Sequence, residues 1–102
     1  MTAFSLKDVQ TLEQDEEVTP FDEASSLQRA INGALWSLQG SYGRSMMFAI
    51  EAGHCLLGRK GCSDYYGNYI PSRDEVKSGT KGSFDYVVDR MGVDWANKMV
   101  DI

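Results

Sequence analysis

Proline occurs twice, cysteine twice and histidine once in 102 residues, and each scarcity excludes a class of protein. Two cysteines are too few for a disulfide framework, and one histidine leaves little for paired-ligand metal chemistry. No run approaches the ~18 consecutive apolar residues of a membrane span, so no membrane association is expected. The N-terminal stretch MTAFSLKDVQ lacks the basic-then-apolar order of a secretory signal. The expected compartment is therefore cytoplasmic, where Cys55 and Cys62 stay reduced. Basic residues are sparse in residues 1–53, where Lys7, Arg29 and Arg44 face eight acids, so that segment carries the whole formal charge of −5. An acidic front disfavours wrapping a phosphate backbone and favours solubility or steering toward basic partners.

What is present reads as one small domain. The 42% apolar and 25% charged content is that of a folded globular chain, and the length allows a modest core. Residues 1–18 form an acidic arm in which Ser5 and Asp8 have the spacing of a capping box, and Leu6, Val9 and Leu12 share a helical face. This arm is either a short docked helix or a frayed tail. Thr19-Pro20 marks a helix start, and Asp22 and Glu23 suit the positive end of its dipole. Leu27, Ile31, Ala34, Leu35, Leu38, Tyr42, Met46 and Ala49 hold one helical phase. The pattern predicts a helix over about 20–39, a kink or tight break at 39–43, and a second helix to about 52 stopped by Gly53. Small residues at 30, 33, 37 and 41 suit close packing, inside the domain or at a dimer seam. Trp36 lies off the main stripe, either on a second buried face or as an exposed anchor. Farther on, Ser72 and Glu75 predict a short helix ending near Ser78-Gly79, and Ser83 caps another bearing Phe84, Val87, Val88 and Met91. Gly92 stops that helix, and Asp94 is the candidate cap for a last one with Trp95, Met99 and Val100.

Residues 53–83 hold both cysteines, the histidine, three of five tyrosines and half of the basic residues. Six glycines break any long period in this stretch, yet its aromatics argue against disorder. Gly67-Asn68 could form a two-residue turn between very short strands. The run GHCLLGRK imitates P-loop spacing, but lysine does not follow the second glycine and a helix rather than a strand precedes it. His54, Cys55, Cys62 and Asp64 lack a recognised zinc spacing, so no metal or other cofactor is expected. Thr80, Lys81 and Ser83 precede a helix N-terminus and could hold an anion, against the simpler reading of a turn with a serine cap. Residues 72–90 have a helix–turn–helix outline, although Asp85 would oppose phosphate.

The stretches ALWSLQGSYGR (34–44), YGNYIPSR (66–73) and GTKGS (79–83) resemble small accessory proteins encoded by bacteriophages. That resemblance implies a short protein that binds a host component, inhibiting a defence system or redirecting a host enzyme. It transfers no functional residue. From the residues themselves, the expected fold class is mainly α, a small helical domain over 19–102 with an ordered Gly/Tyr-rich loop. The expected function is a non-enzymatic protein-binding module, monomeric or homodimeric, with no catalytic residue. Arg59, Lys60, Tyr65, Tyr66, Tyr69, Arg73 and Trp36 are its candidate contacts, since tyrosine and arginine are typical interface anchors. The tyrosines alternatively lid the core. The competing function is nucleic-acid binding through 72–90.

Overall fold

The computed structural model describes residues 4–13, 18–36, 40–64 and 66–102. In chain order they form α1 (Leu6–Glu13), α2 (Pro20–Asn32), α3 (Gly40–Glu51), β1 (Cys62–Ser63), β2 (Tyr69–Ile70), α4 (Phe84–Met91) and α5 (Val93–Asp101). The domain is mainly α, with one very short antiparallel pair in which Cys62 faces Ile70 and Ser63 faces Tyr69. No helix among the described residues is long and apolar enough to cross a membrane.

The Thr19 hydroxyl accepts the Asp22 N–H at 3.0 Å and starts α2 as expected. Its end departs from expectation. The helix stops at Asn32 rather than near 39, and α3 opens at Gly40, so the two helices are separate, as the break alternative has it, but the first ends earlier than expected. The cause is a Schellman closure around Ala34, whose φ of 57° is left-handed. The Ala34 N–H reaches the Ile31 carbonyl at 3.0 Å, and the Leu35 N–H reaches that of Ala30 at 3.1 Å. Glycine usually takes this position, so an alanine there conceals the stop. Leu27 and Ile31 are buried, Leu35 is half-buried, and Leu38 lies outside the described residues.

Gly53 ends the next helix with φ 81°, and a Cβ there would stand 2.5 Å from the Arg90 side chain. The chain then drives Cys55, Leu56 and Leu57 into the centre, against Ala24 and Ile31 of α2, Met46 and Ile50 of α3, Val87 of α4, and Met99 of α5. An irregular segment this deep needs polar partners for its backbone. Gln28, itself fully buried, supplies them: its amide accepts the Leu56 N–H at 2.8 Å and donates to the Leu56 carbonyl at 3.1 Å.

The acidic arm is docked over its described part. Asp8 is the buried residue of α1, and its carboxylate accepts Arg29 Nη2 at 2.6 Å, Arg29 Nε at 2.8 and 2.9 Å, and the Ser26 hydroxyl at 2.8 Å. It also accepts the Ser5 N–H at 3.0 Å, which is one of the two bonds of the anticipated capping box. Burial alone would raise this carboxyl, but the hydrogen bonds from Arg29, Ser26 and Ser5 outweigh it and hold Asp8 below its ordinary value.

Ser83 caps α4 by accepting the Tyr86 N–H at 3.2 Å, and Gly92 (φ 92°) both ends α4 and precedes α5. Asp94 therefore lies in the first turn of α5 and makes no cap. The helix expected after Ser72 is absent, and residues 73–76 and 78–80 form turns and bends. The capping contact itself does form, with the Ser72 N–H donating to Glu75 at 2.7 Å, but too few residues follow before Gly79 to propagate a helix. The helix–turn–helix outline at 72–90 thus loses its first helix.

Candidate functional site

The loop joining β1 to β2 spans residues 64–68, five residues rather than the two-residue turn at Gly67-Asn68. Asp64 organises it. One carboxylate oxygen accepts the Tyr66 and Asn68 N–H groups, each at 2.8 Å, and the other accepts the Asn68 side-chain amide at 3.3 Å. The Asp64 N–H donates to the Asn68 carbonyl at 2.9 Å and closes the ring. The Asn68 backbone bond is the main reason the Asp64 carboxyl sits below its usual value. Glu75 performs the same service one step along: its two oxygens accept the Tyr69 hydroxyl at 2.8 Å while it holds the Ser72 N–H. That bond to Glu75 pushes the Tyr69 phenol up. Gly61 lies against the phenolic end of Tyr69, where a Cβ would collide with the hydroxyl.

This scaffold presents aromatic surface. Tyr66 is 84% exposed and Tyr69 61%, so neither lids the core. Lys60 is exposed one residue before Gly61. Tyr65 lies outside the described residues.

Three other anticipated contacts have internal roles instead. Trp36 is 6% exposed and belongs to the core, which removes it as an exposed anchor. Arg59 donates through Nη2 to the Val100 and Ile102 main-chain oxygens at 2.9 and 3.0 Å, at the C-terminal, electronegative end of α5. Arg73 donates to the Leu57 carbonyl at 2.8 Å and to Asn32 Oδ1 at 3.0 Å. Burial, then the nearby Arg59 charge, lowers its pKa. Arg59 pins the C-terminus and Arg73 ties Leu57 to the end of α2, contacts between segments that a linear reading leaves apart, which is why both look free in sequence.

The anion-site reading of residues 80–83 meets the same outcome. The Thr80 hydroxyl donates to the Lys77 carbonyl, Lys81 pairs with Glu51 at 3.2 Å, and the Ser83 hydroxyl accepts the Gly79 and Tyr86 N–H groups. The simpler turn-and-cap reading describes this loop. Cys55 and Cys62 are free thiols. Cys55 is buried and donates to the Ala24 carbonyl at 3.3 Å, while His54 turns to Phe48 and Trp95, so the sequence-adjacent pair diverges.

One concavity has no counterpart in the sequence reading. A groove of about 460 Å³ runs between α2 and α3. Buried Ala24, Leu27 and Ala49 form its floor, and Glu23, Arg44 and His54 supply its polar groups. Phe48 borders it and is 66% exposed. The only signal in the sequence was that Phe48 falls out of phase with Met46, Ala49 and Ile50, which marks it as outward-facing.

Comparison with protein-family models, with curated proteins and with solved structures returns no match for this chain.

Proposed function

We propose that this chain is a non-enzymatic protein-binding module that meets its partner through the hairpin face of Tyr66 and Tyr69, with Lys60 at its edge. One observation carries the reading: the two rings are exposed while Asp64 accepts the Tyr66 and Asn68 N–H groups and Glu75 accepts the Tyr69 hydroxyl, which braces the described residues that carry them. A loop already ordered loses little conformational freedom when a partner arrives. Tyrosine adds broad contact area with a polar tip at low rotamer cost. Burial pushes the Cys55 thiol up to about 12 and also raises Cys62, so neither thiol favours the thiolate form that nucleophilic catalysis needs. The nucleic-acid alternative loses support with its first helix missing and with Arg73 and Lys81 engaged internally. The proposal places the module in the cytoplasm, as a monomer or homodimer, and the bacteriophage-like stretches direct it toward a host protein.

Site-specific photocrosslinking tests it. A crosslinker at position 66 should yield a discrete adduct with one protein, and the same group at exposed Asn97 on α5 should not. Equal adducts from both positions, or none from position 66, would reject the hairpin as the contact face.

A further inference from the structure

We propose that the groove between α2 and α3 binds a small zwitterion, an α-amino acid with an apolar or aromatic side chain. This goes beyond the protein-binding reading and does not rest on it. The cavity of about 460 Å³ falls in the range of small-molecule sites, roughly 300–1,000 Å³. Its floor of Ala24, Leu27 and Ala49 suits an apolar group, and Phe48 is placed to cover one.

The charges decide the class. Glu23 on α2 and Arg44 on α3 line the same cavity with opposite signs, yet their side chains make no hydrogen bond or ion pair with each other or with any described residue. A simple anion would satisfy Arg44 and meet Glu23 unfavourably, and a simple cation would do the reverse. A molecule with a separate ammonium and carboxylate satisfies both. His54 adds a third polar group without a hydrogen-bond partner for its ring among the described residues. Phe48 meets its ring edge-on with centroids 6.3 Å apart, and the Trp95 indole N–H donates to its backbone carbonyl at 2.9 Å. Trp95 is braced in turn by a T-shaped contact with Phe21 at 5.3 Å.

The test is titration of the ¹⁵N-labelled full chain with L-phenylalanine, read by amide chemical shifts. The expected result is saturable shifts confined to the groove, at the Glu23, Phe48 and His54 amides. 3-Phenylpropionate, which lacks the ammonium, and 2-phenylethylamine, which lacks the carboxylate, should each bind at least about tenfold more weakly, as loss of a charged hydrogen bond implies. Glu23→Gln should abolish the preference for L-phenylalanine over 3-phenylpropionate, and Arg44→Gln the preference over 2-phenylethylamine. Both residues are exposed, so spectra of the variants should otherwise overlay the parent and exclude misfolding. No saturable shift up to ~10 mM with L-phenylalanine or L-leucine, equal affinities for the three phenyl probes, or shifts outside the groove would overturn the proposal.

Discussion

Replacing Asp8 with asparagine keeps the shape of the side chain and removes the charge that fastens α1 to α2. Arg29 then loses the carboxylate that receives its Nε and Nη2, at distances of 2.6–2.9 Å. Breaking a buried pair by deleting one partner costs ~3–5 kcal/mol. Arg29 is 20% exposed along its side chain and can partly rehydrate, and the amide can still accept from Ser26, so ~2–3 kcal/mol is expected here. That penalty falls on a helix of eight residues whose only buried residue is Asp8, and a helix this short does not persist once undocked. The loss should therefore be local. Hydrogen exchange measured residue by residue should show α1 amides exchanging roughly 30- to 150-fold faster, with the most protected amides of α2 and α3 unchanged. Unaltered protection in α1 would refute the reasoning, because the ion pair would then contribute nothing to docking. Equal loss across all helices would also refute it, by making α1 part of one global unit.

The same pair sets an acid limit. Asp8 has a folded pKa below its unfolded value, so its contribution is present above about pH 4 and is lost as pH falls through the depressed folded value; α1 protection should hold at pH 5 and fail in stronger acid, whereas the Asp8→Asn variant, without the titrating group, should show no comparable pH step in α1. Ala34→Gly should raise stability by ~0.5–1 kcal/mol in a urea melt, since glycine occupies the left-handed φ of 57° without the alanine's steric cost and that relief exceeds the extra freedom of the unfolded chain; a loss of stability would count against the Schellman closure. Gln28→Ala should cost ~2–4 kcal/mol in the same assay, because it strands both the N–H and the carbonyl of buried Leu56; a cost under ~1 kcal/mol would mean water or a backbone shift replaces the amide.

Local signals in this chain were legible and long-range polar contacts were not. Thr19-Pro20, Ser83, Gly53 and Gly92 act within one helical turn, so their residue types announce what they do. The stop at Asn32 escaped because an apolar stripe keeps its phase whenever two successive helices face one core, and because an alanine holds the left-handed position. The Ser72–Glu75 box shows the converse: its hydrogen bond forms although no helix follows, since a cap cannot supply the propagation energy of missing turns. Arg59 and Arg73 read as interface arginines because their acceptors, Val100 and Ile102 for the first and Leu57 and Asn32 for the second, are 16 to 43 residues away. Of the candidate contact face, the tyrosine-rich hairpin was visible as turn chemistry between aromatics, whereas its dependence on Asp64 and Glu75 was not. The α2–α3 groove draws Glu23, Arg44, Phe48 and His54 from separate segments, and no one-dimensional pattern relates them.

The hairpin face is tested most directly by the double substitution Tyr66→Ala, Tyr69→Ala, with binding to the photocrosslinked partner and the thermal midpoint measured on the same preparation. Loss of two interface anchors should weaken binding by ~2 kcal/mol or more. Both rings are largely exposed, so the midpoint should move by no more than a few degrees. Binding that survives the double substitution, or a protein that unfolds because of it, would contradict the assignment of this face.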